Sequence, residues 1–254
     1  MNTIDLIKGY PYFFATLGGG LMVLAVGRIF LSRQQSHIMT LSGLLSIPCF
    51  PFLVFLEKEY WTPVRFGGWI LGVEDVLCSF WVAAVVWFVV ALPLGNQMLI
   101  NGRIQIFWLR YFMMACISEF LFLLFYFMGL GGMGSLFLAY LIVTAFLLLR
   151  IRKPWLLFLT GIILNPVLYF LQGKLFFWFW PDFITQWNTR TFWGSPLLGI
   201  PLGETTWSVI FGAYWPLFMA YVFGLRLRPR GSAKTSAPLW ELPGGSSPFF
   251  CEPE

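Results

Sequence analysis

Charge is what this sequence has least of. Asp, Glu, Lys and Arg make up 11% of its 254 residues, against roughly 25% in a soluble domain. So few polar side chains cannot coat a globule, and 59% of the chain is hydrophobic. The expected solvent is therefore the bilayer. The net charge of +5 then encodes orientation and implies no nucleic-acid partner. Histidine occurs once, at His37, which excludes a His/Cys metal cluster by count. No metal ligands are assigned, although a carboxylate-held Mg²⁺ is not ruled out by that count. The four cysteines, Cys49, Cys78, Cys116 and Cys251, form no CxxC pair. Three stand in apolar runs, where cysteine behaves as a small hydrophobe.

What is present is long apolar runs. Spanning takes about 20 apolar residues, and the sequence offers seven candidates: 10–31, 38–56, 72–94, 108–128, 135–149, 155–171 and 202–224. The segment "MNTIDLIKGYPYFF" sets Asp5 against Lys8 and has no basic leader, so the first run reads as a retained helix. A "GLGGMG" turn joins the fourth and fifth runs. The aromatic run "LFFWFWPDF" after the sixth reads as interfacial, where Trp is enriched. Residues 226–254 are rich in Pro, Gly and Ser and read as a disordered tail. With seven spans, Arg28, Arg33, Arg103, Arg110, Arg150, Arg152, Lys153, Arg226, Arg228, Arg230 and Lys234 share one side. Lys8, Lys58, Arg65, Lys174 and Arg190 share the other. The positive-inside rule puts the C-terminus in the cytoplasm and the N-terminus outside, in the inner cell membrane.

Two acidic motifs open apolar helices on the non-cytoplasmic side. "GVED" at 72–75 carries Glu74 and Asp75, and "IPLGE" at 200–204 carries Glu204. Superposing Asp75 on Glu204 also brings Val73 onto Leu202, Ser79 onto Ser208 and Ala84 onto Ala213. An aromatic loop precedes each motif: "EKEYWTPVRFGGW" and "FWFWPDFITQWNTRTFW". Each motif opens the last helix of a three-helix unit. A unit of odd count copied in tandem would invert, and the fourth helix restores its orientation. The expected fold is all-α and polytopic: seven transmembrane helices as two parallel three-helix repeats joined by a linker helix. The corresponding units are 1–94, 95–131 for the linker, 132–225, and the tail 226–254.

These residues resemble the lycopene cyclase family of the heterodimeric or fused type, whose three-helix units each carry a Pro-Leu/Ile-Glu-Glu motif at a helix start. The resemblance covers roughly residues 10–225. Here Gly72 stands for Pro, Asp75 for Glu, and Gly203 for the first acid of the second copy. The resemblance implies redox-neutral ring closure of a linear isoprenoid end. A proton adds to a terminal alkene, a carbocation forms, an internal double bond attacks it, and a proton leaves. It implies a carotenoid or other isoprenoid lipid substrate, with membrane lipids as surroundings. No cofactor is evident, and a reduced flavin stays open.

The chemistry needs a proton donor and an acceptor beside a long apolar substrate. A carboxyl group at a lipid boundary suits both roles, since desolvation favours its neutral form. Glu74, Asp75, Glu204 and Glu119 are the candidate catalytic acids. Asp75 and Glu204 are expected to pair across the repeats. Glu74 and Asp75 are neighbours, about 100° apart on a helix, and need not face each other. Glu119, inside "MMACISEFLFLL", lies mid-span, where an ionisable group costs ~2.5 kcal/mol or more and must find a partner. Aromatic faces stabilise cations, which makes Trp81, Trp207, Phe211 and Trp215 candidate substrate-binding residues.

Plainer readings stand beside these. Acids at helix starts cap free N–H groups and complement the dipole, and Glu119 could be a packing hydrogen bond. Asn165 and Gln172 read as interhelical hydrogen bonds, and Gly18–Gly20 as a site of close helix approach. A transporter would need more polar groups inside its helices. A retinal Schiff base would need a lysine between 202 and 224, and none occurs there. A non-catalytic scaffold of the same fold remains the alternative. On the cyclase reading, Asp75→Asn and Glu204→Gln each abolish ring formation while leaving membrane insertion intact, as measured by pigment chromatography and membrane fractionation.

Overall fold

The computed structural model describes residues 3–57, 59–100, 104–151 and 154–228. It is mostly helical. Four stretches among the described residues are long and apolar enough to cross a membrane: Pro11–Phe30, Val73–Gln97, Ile106–Arg150 and Trp155–Phe179. The third is 45 residues long, or about 68 Å as one helix, more than twice the ~30 Å hydrocarbon core. It is broken in two, because Gly129 and Gly131 adopt φ of +90° and +71°, a region that glycine enters without steric cost.

In chain order the helices are α1 (Thr3–Gly9), α2 (Pro11–Phe30), α3 (Arg33–Ser46), α4 (Val73–Leu94), α5 (Ile104–Phe125), α6 (Gly131–Arg150), α7 (Trp155–Phe179) and α8 (Leu202–Val222). The Ser32 hydroxyl starts α3 by accepting the Gln35 N–H at 3.3 Å. Pro48 and Pro51 then withhold backbone donors, and the chain goes on as a 3₁₀ segment, Ile47–Leu56. A π-helical turn, Tyr126–Leu130, closes α5. Nothing breaks α7 after residue 171, so it runs on through "LFFWF" to Phe179, and Pro181 follows. Before α8, β2 (Pro196–Leu197) pairs with β3 (Ile200–Pro201).

β1 (Met98–Ile100) pairs antiparallel with β4 (Leu225–Leu227), and the Arg228 N–H adds a bond to the Gln97 carbonyl at 2.8 Å. The expected disordered tail therefore begins with an ordered strand, because residues 225–228 satisfy their backbone groups against 97–100. The rest of that expectation, 229–254, lies outside the described residues.

Packing centres on α4 and α8. α4 packs on α2 and α3, α8 packs on α6 and α7, and α4 meets both α7 and α8. α5 lies against α6 and α8. In an apolar solvent the helices are joined by close packing and by polar side chains reaching backbone carbonyls. The Trp215 indole donates to the Ser42 hydroxyl at 2.7 Å, which itself donates to the Ala83 carbonyl at 3.1 Å. Tyr111 reaches the Leu45 carbonyl at 2.7 Å. Asn165 makes the expected interhelical bond, to the Ser208 carbonyl at 2.7 Å. Of the glycine triplet, Gly19 provides the close approach: a Cβ there would lie 2.7 Å from Trp81 Cδ2, whereas Gly18 faces open space.

α7 and α8 cross at Gly161 and Gly212, backbone against backbone: a Cβ on Gly161 would collide with the Gly212 carbonyl. Gly161→Ala is expected to lose about 1–3 kcal/mol through overpacking. It should lower the temperature at which detergent-solubilised protein loses its monodisperse elution peak. Gly18→Ala, with nothing within 4 Å of the new atom, should leave that temperature unchanged or raise it slightly.

Candidate active site

α2, the 3₁₀ segment and α4 to α8 together enclose a cavity of ≈ 260 Å³. Its longest wall is a column of rings on one face of α8. Trp207, Phe211, Trp215 and Phe218 recur every four, four and three residues, the spacing that stacks side chains on a helix. Their successive centroids are 4.7, 5.5 and 5.0 Å apart, with interplanar angles of 15°, 20° and 7°. On α6, Tyr140 lies flat on Tyr214 at 4.2 Å. Trp81 of α4 faces the same space. All four aromatic residues named from the sequence, Trp81, Trp207, Phe211 and Trp215, line this one cavity.

Two of the four candidate acids line it as well, Glu204 and Glu119. Glu204 opens α8, and its carboxylate accepts three side-chain bonds. Tyr60 and the Trp187 indole donate to Oε1 at 2.9 and 3.0 Å, and Tyr169 donates to Oε2. The sequence permits this because residue 203 has no side chain: a Cβ on Gly203 would meet the Tyr60 ring at 2.7 Å. Tyr60 lies in the loop after the 3₁₀ segment. Burial, and then the Glu204 carboxylate, raise its pKa far above the usual value of 10, so it stays a donor. Glu119, half-buried on α5, has the Cys49 thiol donating to Oε1 at 3.8 Å.

Glu74 and Asp75 lie elsewhere. Both are fully buried, but neither lines the cavity. Asp75 accepts from Arg65 Nε at 2.7 Å and from a second guanidinium nitrogen at 3.3 Å. It also accepts from the Gly72 N–H at 2.7 Å and from Tyr12 at 3.0 Å. It therefore caps α4 and holds the 65–72 loop. Arg65 pairs with Glu57 too. Burial works against its charge, yet Asp75 and Glu57 raise its pKa above the usual 12.5. Glu74 accepts the Phe66 N–H on Oε1, while its Oε2 is buried with no protein donor. The expected Asp75–Glu204 pairing gives way because each acid has its own donors. Asp75 is neutralised by Arg65 behind the wall and reaches the cavity only through Tyr12, which lines it.

Gln172, read from the sequence as a helix–helix bond, lines the cavity as well. Sequence reasoning passed over Tyr12, Tyr60, Tyr169 and Trp187. Tyr60 and Trp187 had a signal, since each sits in one of the aromatic loops that precede the two acidic motifs. Tyr169 had none among so many aromatic residues. Cys49, Cys78 and Cys116 are free thiols. Among the described residues, no group of three or more His, Cys, Asp or Glu side chains could hold a metal ion. Comparisons with protein-family models, curated proteins and solved structures give no match to this chain.

Arg65→Met would strand Asp75 and Glu57 without their cation. Breaking a buried pair from one side costs about 3–5 kcal/mol. The expected outcome is a severe loss of folded, monodisperse protein after detergent extraction. Asp75→Asn should show the same defect in milder form, in place of the selective loss of ring formation expected from the sequence, because its partner is Arg65.

Proposed function

We propose that this chain is a membrane-embedded cyclase of the lycopene type, closing a ring at one end of a linear isoprenoid by protonation and deprotonation. The observation that carries this reading is that two carboxyl groups, Glu204 and Glu119, face one aromatic-walled apolar cavity. We further propose seven spans in two parallel repeats. In support, α4 stands to α2 and α3 as α8 stands to α6 and α7. The 24 residues from Arg33 through the 3₁₀ segment to Leu56 supply the second span, and α8 the seventh. The basic-residue bias places the Glu204 end of the cavity on the non-cytoplasmic side.

The hydrogen bonding supports a division of roles. Three donors converge on Glu204, a pattern that stabilises a carboxylate, so Glu204 is the proton acceptor. Glu119, whose carboxyl accepts from the Cys49 thiol, is the donor. Its proton adds to the terminal alkene carbon and leaves a tertiary cation. The electron pair of an internal double bond forms the ring C–C bond, and the charge moves into the ring. Glu204 removes a proton from the adjacent carbon, and those C–H electrons become the ring alkene. The formula of the substrate is unchanged, and solvent returns the proton between turnovers. The Trp207, Phe211 and Trp215 faces stabilise the passing cation.

The test is expression in cells that accumulate lycopene, with pigments resolved by chromatography and absorption. The expected result is a product with one or two rings. Glu204→Gln and Glu119→Gln should each cut ring formation by about 10²–10⁴-fold at unchanged membrane levels, and Glu74→Gln should not. Unchanged lycopene with the parental protein in the membrane, or parental turnover by the double amide variant, would overturn the reading.

A further inference from the structure

Beside the Glu204 end of the cavity lies a second hollow, of ≈ 400 Å³. It shares Trp61 and Trp187 with the cavity, and its other walls are Thr62, Thr185, Asn188, Thr189 and Arg190. One space is apolar and aromatic, the other polar, and two tryptophans form their common wall. Those rings stack with centroids 5.8 Å apart, and the backbones of Trp61 and Trp187 pair as an isolated bridge. The Thr62 N–H donates to the Gln186 carbonyl at 2.8 Å, and the Asn188 N–H to the Tyr60 carbonyl at 2.9 Å. The polar hollow is thus held by paired backbone and is preformed, which lowers the cost of binding.

Its lining is rich in donors. It offers the Arg190 guanidinium, the Asn188 amide and the Thr189 hydroxyl; the Thr62 and Thr185 hydroxyls donate to the Gln186 and Asp182 carbonyls at 3.4 and 2.7 Å, and no carboxylate lines it. Among the described residues, Arg190 makes no ion pair; the ion pairs there belong to Arg65. That set suits an oxyanion with several acceptor oxygens, because the planar guanidinium fork matches phosphate, and the amide and hydroxyl complete the coordination. The cavity alone, at ≈ 260 Å³, falls below the ~300–1,000 Å³ of a usual small-molecule site. The two spaces adjoin at Trp61 and Trp187, one dry and one wet. Tryptophan at the threshold matches its preference for such boundaries.

We propose that this hollow binds the phosphate head of an isoprenoid lipid whose chain enters the cavity. The inference rests on reading the cavity as an isoprenoid site. It extends the substrate class from hydrocarbon ends to amphiphiles carrying a terminal phosphate. Arg190 is the specificity residue, and Trp61 and Trp187 flank the chain where it leaves the head.

The test is equilibrium binding of radiolabelled geranylgeranyl phosphate to the full chain in uncharged detergent micelles. Geranylgeraniol and inorganic phosphate serve as competitors. The phosphate ester should bind about ten- to a hundredfold tighter than the alcohol, the worth of charge-assisted bonds. Arg190→Gln should erase that preference and leave the alcohol's affinity unchanged. Equal affinity for ester and alcohol, or a preference that survives Arg190→Gln, would overturn the proposal. So would inorganic phosphate competing as well as the ester, since the chain would then add nothing. Ring formation from lycopene by the parental chain, measured alongside, separates the two readings. Cyclised lycopene without ester preference sinks only this inference, and ester preference without any ringed product sinks only the cyclase.

Discussion

A single carboxylate at the head of α8 shapes the site. Glu204 is largely withdrawn from water, and a withdrawn carboxylate is tolerated only if its lone pairs are filled. Three donors fill them, from three different segments: Tyr60 after the 3₁₀ segment, Tyr169 in α7 and Trp187 in the loop that follows. None of these is close to another in sequence, so satisfying one side chain ties together the end wall of the cavity. Gly203 makes room for the most crowded of the three. From that knot, the helical spacing of α8 carries the aromatic column onward through Trp207, Phe211, Trp215 and Phe218.

The first acidic motif solved the same problem with a cation. Arg65 grips Asp75 with two nitrogens and also pairs with Glu57, and an acid so held can sit behind the wall and support the loop. The offset that superposes Asp75 on Glu204 carries Arg65 onto Gly194, so the second motif has no cation to offer at that place. Its acid is met by neutral donors, and neutral donors leave a carboxylate with its charge. The two motifs are equivalent in sequence position and opposite in electrostatics. That difference underlies the proposed division of labour, in which Asp75 holds structure and Glu204 handles protons.

Much of the helical layout was legible, because apolar runs of spanning length admit few alternatives in lipid. The ends were less so. The 3₁₀ stretch at Pro48 and Pro51, the extension of α7 to Phe179 and the strand at 225–227 depend on local donors and tertiary pairing, and hydropathy does not register either. The aromatic wall was legible from helical spacing, and all four aromatic residues named from the sequence meet in one cavity. Of the acids, Glu204 and Glu119 line the cavity, whereas the pairing expected from the sequence was Asp75 with Glu204. Glu74 and Asp75 looked like Glu204 in sequence, because what holds them away from the cavity, Arg65 for Asp75 and the Phe66 N–H for Glu74, lies upstream on a loop. Linear patterns show that an acid sits at a helix start. They do not show which neighbour will claim it.

The wall also has to avoid destroying the chemistry proposed for it. A carbocation is captured by any nearby lone pair, and a cavity lined by hydroxyls would be a poor place to make one. Three of the hydroxyls in this wall are turned into the backbone. Thr16 donates to the Tyr12 carbonyl at 2.9 Å, Ser46 to the Ser79 carbonyl at 2.7 Å, and Ser118 to the Met114 carbonyl at 2.8 Å. Ser118 also engages the Tyr214 hydroxyl at 3.0 Å, while the Tyr214 ring stays in the aromatic stack. The bonds that lipid solvent demands of buried polar groups therefore also leave the cavity lined chiefly by ring faces. On the proposed cyclase reading, that lining would suit a short-lived cation.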